Sequence, residues 1–398
     1  MLHKITQKLN TIFELDTRKI LGRASYLLGS QAFSNLLSFA VAVAAAHFLS
    51  KDTYGTYRYI LSTVSFIGAF SLTGLSTAIV RESARGNDNL YRTSIKKSLM
   101  WSIPAMLIGI GVSVWYLING NTILGFSILV GGILFPFIQS LLLFRSYLNG
   151  KEFFKALMLS NIFYSSITSG VLLVTLFFKP SVVTLVYAYY ISNILATAIL
   201  SFIIKRYFKP NNNVDNDSKK LEHHMSIMNI LDTGATQLDK VLLFQIAGPV
   251  EVARYVFATI IPEQLRNVVK YASTLSMPIF SNLPKETARS KALFLAKKLF
   301  LITIPIVILY YIFAPIIYKV FFPSYIEVIG YSQLFALILI FDGGITGTAL
   351  KAQGEIKKIY LVNISTNITK VVLLVVLGIF SFFVSYIALE RTQTHDGN

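Results

Sequence analysis

Long apolar runs recur along the chain with short polar breaks between them, at 24–49, 56–80, 98–118, 122–146, 156–178, 182–204, 226–248, 252–282, 295–318, 328–350 and 358–380. Each is about twenty residues or longer, the length a helix needs to cross a hydrocarbon core of roughly 30 Å. A backbone in lipid must satisfy its own hydrogen bonds, so runs of this length predict helices and not open sheet. The short alternating segments of a β-barrel do not dominate. The first ten runs form five short-loop pairs, whereas "IFSFFVSYIAL", residues 379–389, is too short for a further full span. The pattern predicts an all-α polytopic membrane protein of about 11–12 transmembrane helices in two pseudo-symmetric bundles.

Polar segments divide this plan. The Asn-rich stretch "KPNNNVDNDSKKLEHH", residues 209–224, reads as a cytoplasmic linker. It separates an N-terminal six-helix lobe, 1–208, from a C-terminal lobe of five to six helices, 225–398. Residues 1–20 carry Leu2, Ile5, Leu9, Ile12 and Phe13 at helical spacing among Lys4 and Lys8, which predicts an amphipathic helix on the inner membrane face.

Composition agrees with lipid as the solvent. The chain has 54% hydrophobic and only 14% charged residues, with a mean hydropathy of +0.61. A soluble domain usually carries about 25% charged residues. The absence of cysteine rules out disulfides and Cys-based metal sites.

The basic residues set an orientation. With the N-terminus in the cytoplasm, the predicted inner segments hold 26 lysines and arginines, and the predicted outer loops hold three, Lys51, Lys179 and Lys319. This is a strong positive-inside bias. The net charge of +17 is therefore mainly a topology signal, and no nucleic-acid partner is implied. No loop is long enough to fold a catalytic domain, and there is no phosphate-binding loop, dinucleotide fingerprint or paired-histidine metal motif. No cofactor is implied, and His3, His47, His223, His224 and His395 are scattered.

Arg58, Lys240, Arg254, Arg266, Lys270 and Lys370 instead fall inside predicted spans, as do Asp232, Asp239, Glu263 and Asp342. A charge at mid-bilayer costs roughly 2.5–3.5 kcal/mol on insertion scales. Such groups belong in a bundle interior or a water-filled cavity. Asp232 and Asp239 lie about 20° apart on a helical wheel, and Glu263, Arg266 and Lys270 within roughly 60°. Pro262 and Pro278 predict a bent or broken eighth helix. Asp239 with Lys240, or Glu263 with Arg266, could also be neutralising packing pairs. The excess of cations suits an anionic substrate, with Arg58, Lys240, Arg254, Arg266 and Lys270 as its candidate ligands. Asp232, Asp239 and Glu263 are candidate carboxylates for coupling to H⁺ or Na⁺.

Four stretches also resemble a known family. "HFLSKDTYGTYRYI" (47–60), "GLSTAIVRESARGN" (74–87), "LDKVLLFQIAGPVEVARYVFA" (238–258) and "ALKAQGEIKKIY" (349–360) are similar to segments of polysaccharide-repeat flippases of the Wzx type. These belong to the multidrug/oligosaccharidyl-lipid/polysaccharide exporter (MOP) superfamily. The resemblance implies movement of undecaprenyl-diphosphate-linked oligosaccharide repeat units from the inner to the outer leaflet of the bacterial inner membrane, by alternating access. It implies the lipid-linked oligosaccharide, membrane lipids and polysaccharide polymerase machinery as partners. Three rival readings remain: a cation-coupled multidrug exporter of the same superfamily, a membrane enzyme acting on lipid-linked sugars, and a non-transporting scaffold. The exporter would be expected to carry excess carboxylate in its cavity, and the enzyme a large outer loop or clustered His and acidic groups.

Overall fold

The computed structural model describes residues 17–71, 75–213, 236–275 and 284–341, together with 361 and 365. Among the described residues there is no strand. Residues 1–16, most of the 209–224 linker, Asp232, Asp342, Lys370, the side chain of Lys270 and all but two residues of the span expected at 358–380 lie outside them.

The N-terminal bundle is built from α1 (Thr17–Phe48), α2 (Lys51–Gly68), α3 (Leu75–Ala84), α4 (Asn89–Trp101), α5 (Ile103–Ile118), α6 (Thr122–Leu141), α7 (Phe144–Gly150), α8 (Phe154–Phe178) and α9 (Val182–Phe208). Polar residues at the turns start these helices. The Ser50 hydroxyl accepts from the Thr53 N–H at 3.1 Å, with Asp52 in the favourable first turn of α2. Asn121 caps α6 through the Leu124 N–H at 3.1 Å, and Ser181 with Thr184 forms a capping box on α9. The second bundle contains α10 (236–247), α11 (Pro249–Leu275), α12 (Lys285–Phe321), a 3-10 turn Pro323–Val328, α13 (Ile329–Ala336) and a second 3-10 turn Leu337–Phe341.

Seven described segments are long and apolar enough to span a membrane. Lys51–Gly68 and Pro249–Leu275 are not among them. These two helices, α2 and α11, pack against each other where the bundles meet. Sheltered from lipid by their neighbours, they can carry Arg58 and Glu263 in the positions a lipid-facing helix would fill with leucine.

The structure changes several expected boundaries. The predicted 56–80 span is two helices, α2 and α3, with residues 69–71 between Gly68 and the stretch outside the described residues. The 98–118 span begins at Asn89 and is jointed at Ser102, with Pro104 in the first turn of α5, where its missing N–H costs least. α12 begins at Lys285, ten residues before the expected span, because charged residues flanking the apolar core continue the same helix. α11 runs through Pro262 as one continuous helix, so the expected break is absent there; Pro278 lies outside the described residues.

The turns at 49–50, 119–121, 179–181, 248 and 322 lie at one end of the molecule, the upper end, which is the one the charge count predicts to face outward. There the bundles share an aromatic core. Tyr59 stacks on Phe244 with centroids 3.7 Å apart, and Phe257 stacks on Tyr325 at 3.8 Å. Tyr54, Ile60, Tyr318 and Phe322 are buried beside them. Gly55 permits this closeness: a Cβ there would lie 1.8 Å from the Pro249 carbonyl oxygen. Likewise a Cβ on Gly109 would come within 3.3 Å of the Gly132 Cα, so α5 and α6 cross on small residues, a common packing device in membranes. A separate cluster around Ile79, Tyr91, Phe144, Tyr147 and Ile204 holds the lower end of the N-terminal bundle together.

Candidate functional site

Beneath the aromatic core lies a cavity of about 370 Å³ between the bundles. Helical periodicity builds its walls. Tyr54, Tyr57, Arg58 and Leu61 form one face of α2, and Val256, Thr259, Ile260, Glu263 and Gln264 form one face of α11. Tyr164 and Thr168 of α8, Tyr189 and Asn193 of α9, and Lys240 of α10 complete the polar lining.

Arg58 makes no ion pair among the described residues. Its Nε is buried and has no hydrogen-bond partner among them. Tyr54, Tyr57 and Tyr189 surround it instead. A half-buried guanidinium with no ion-pair partner and Glu263 as the carboxylate of its cavity retains the capacity to grip a ligand oxygen anion, with two parallel hydrogen bonds where geometry allows.

Lys240 is placed differently. Its ammonium lies 3.3 Å from Asp239 Oδ1, which also accepts from the Lys240 N–H at 2.8 Å. The Tyr255 hydroxyl donates to Asp239 Oδ2 at 2.6 Å. Both charged side chains are buried, so this is a neutralised unit whose lysine edge reaches the cavity.

The remaining sequence candidates separate. Glu263 lines the cavity with Arg58 and Lys240. Arg266, one turn further along α11, is exposed, as Glu263 is, and is not part of the cavity lining. Arg254 stands at the upper end, outside the cavity lining. There it forms ion pairs with Glu251 and, through Nε at 3.4 Å, with Glu327. Glu327 also pairs with Lys51 of α2, which ties the two bundles together across the upper end. Gln245 adds a second tie, donating to the hydroxyls of Tyr59 at 2.9 Å and Tyr116 at 2.8 Å. Neither these ties nor the cavity tyrosines are among the sequence candidates. Their signal was the polar stripe at 54, 57, 58 and 61, visible once α2 is taken as an interface helix. No group of three or more His, Cys, Asp or Glu capable of holding a metal occurs among the described residues.

Solved structures share this architecture. The chain is similar to an inward-facing multidrug resistance MATE family transporter of the MOP superfamily, with TM-score 0.65 and 16% identity over 84% of each chain. An outward-facing MATE family transporter of that superfamily matches with TM-score 0.59 and 16% identity, over 96% of this chain and 98% of that one. A MATE in the straight conformation matches with TM-score 0.59 and 15% identity, over 94% and 96% of the two chains. At such identity the likeness establishes the fold of these transporters. No curated protein matches the sequence. The family described as polysaccharide biosynthesis protein matches residues 20–283, about two thirds of the chain and all the described helices from α2 to α11. With its MOP-type fold and that match, the chain belongs to the polysaccharide biosynthesis protein family.

Proposed function

We propose that the protein is a flippase that moves undecaprenyl-diphosphate-linked oligosaccharide repeat units from the inner to the outer leaflet of the bacterial inner membrane. The observation that carries this reading is Arg58: a half-buried guanidinium with a buried, unpartnered Nε, facing a polar cavity between two helical bundles. The family match and the MOP-type transporter fold support transport in polysaccharide synthesis. A lipid-linked diphosphate meets the chemistry of the cavity. Its phosphates supply the ion-pair partner that Arg58 does not have among the described residues, its sugars find the hydroxyl and amide groups around them, and its tail stays in lipid.

On this reading the upper end faces outward and is closed by the aromatic core and the Lys51–Glu327 and Gln245–tyrosine ties. Opening those ties while the lower end closes would present the headgroup to the outer leaflet. Moving one charge through 100 mV is worth about 2.3 kcal/mol, so outward passage of about two negative charges is favoured by roughly 4–5 kcal/mol when the inside is negative. Glu263, in the same cavity, is the carboxylate placed to couple an inward H⁺ or Na⁺ to that movement. Deleting the gene should strand lipid-linked oligosaccharide in the inner leaflet, as measured by its protection from an impermeant glycosidase on intact spheroplasts. Unchanged accessibility would overturn the proposal.

A further inference from the structure

A second polar chamber, of about 420 Å³, lies inside the N-terminal bundle between α1, α7 and α8. It shares Ser38, Tyr164, Thr168 and Ser169 with the central cavity, so the two are contiguous. In a chain that is 54% hydrophobic, its lining contains a single aliphatic residue, Leu157. Gln31, Ser34, Asn149, Asn161 and Ser165 surround its one charged group, Arg145. The guanidinium lies over the Tyr164 ring, 4.4 Å from the centroid, and its Nε is buried without a hydrogen-bond partner. The side-chain amides of Asn149 and Asn161 make no hydrogen bond to the described residues.

We propose that this chamber is a glycan subsite, holding the sugars of a headgroup whose diphosphate lies at Arg58; the assignment rests on the flippase reading above. A volume of 420 Å³ falls within the roughly 300–1,000 Å³ of ordinary small-molecule sites. A polyprenyl tail would leave the amides and the Arg145 Nε unpaired, at a cost in free energy for each. A diphosphate would meet one cation and no second. A sugar supplies hydroxyls that both donate and accept, matching amide groups that do the same. Several serine and threonine hydroxyls already donate locally: Thr168 to the Tyr164 carbonyl at 2.9 Å, and Ser165 to that of Asn161. Such hydroxyls offer lone pairs to ligand donors. Arg145 then presents its free N–H to a ring hydroxyl or to a sugar carboxylate.

The test is native mass spectrometry of the full-length protein loaded with two lipids extracted from its own cells, undecaprenyl diphosphate and the same lipid carrying oligosaccharide. Asn161→Ala and Arg145→Lys should each lower retention of the glycan-bearing lipid roughly tenfold while leaving the bare lipid unchanged. Arg58→Gln should release both. Asn161 makes no side-chain hydrogen bond to the described residues, so its truncation should spare the fold. Wild-type ratios in both chamber variants, or equal loss of both lipids, would overturn the glycan subsite alone. Retention of both lipids by Arg58→Gln would overturn the flippase reading on which it rests.

Discussion

At the residue scale the proposed function rests on Arg58. Its cost in lipid, of order 2.5–3.5 kcal/mol or more, is tolerated because tyrosines and a polar cavity surround it. Lysine there keeps charge but loses the planar fork, and alanine loses both. Export of lipid-linked sugar should therefore fall in the order Arg, Lys, Ala at position 58, with protein levels unchanged on quantitative immunoblots. Equal export by the alanine variant would remove Arg58 from the mechanism. The Asp239–Lys240 pair makes a different demand. Asp239→Asn leaves a buried ammonium uncompensated, a loss on the order of 3–5 kcal/mol, and Lys240→Met in the same chain should restore most of it. Thermal unfolding in detergent reads both steps, and a lone Asp239→Asn of wild-type stability would contradict the pairing. The presence of intramembrane charges was legible in the sequence, because span length and hydropathy leave no other place for them. Which charges share a cavity was not. Arg254 and Arg266 belong to the same helix as Glu263, but Arg254 finds carboxylates at the upper end and Arg266 is not part of the cavity lining. Arg145 was hidden in the count of inner-loop cations, although the polar positions 161, 164, 165 and 168 of α8 follow the helical repeat that marks its chamber.

At the scale of elements, apolar length predicted most spans well, because α8 and α9 face lipid along much of their surface. It failed where helices are polar on one face or jointed. α2 and α3 were merged because the apolar residues of 66–70 bridge the end of α2 in composition, though not in structure. Pro262 was expected to bend or break α11, and the helix is not broken there, because the remaining hydrogen bonds of a long packed helix carry it through. The α2–α11 contact depends on Gly55, where any side chain meets the Pro249 carbonyl. Gly55→Ala should therefore loosen the upper closure, overpacking of this kind costing about 1–3 kcal/mol. In the cysteine-free chain, Thr259→Cys reports on the cavity, Ser324→Cys on the upper end and Asn213→Cys on the lower end. An impermeant thiol reagent outside intact cells should label Ser324→Cys and not Asn213→Cys, and should label Thr259→Cys appreciably only when Gly55→Ala is also present. Equal labelling of Thr259→Cys with and without Gly55→Ala would show that this contact does not gate access.

For the whole molecule, the two-bundle plan converts a sequence problem into a transport device. A site between bundles can be exposed alternately by rocking one against the other. The polysaccharide biosynthesis family and the fold shared with MATE transporters support a flippase or exporter, and the unpartnered Arg58 Nε is the basis for proposing a large anionic amphiphile as its cargo. The central claim is that this chain by itself carries a lipid-linked oligosaccharide between leaflets. Purified protein in proteoliposomes containing undecaprenyl-diphosphate-linked oligosaccharide tests it most directly, with an impermeant glycosidase outside and an inside-negative or inside-positive potential imposed. If the protein flips the lipid, digestion should proceed past the fraction initially in the outer leaflet, at a rate that depends on the sign of the potential and is lost in Arg58→Ala. Digestion that stops at that initial fraction with wild-type protein present would contradict the account.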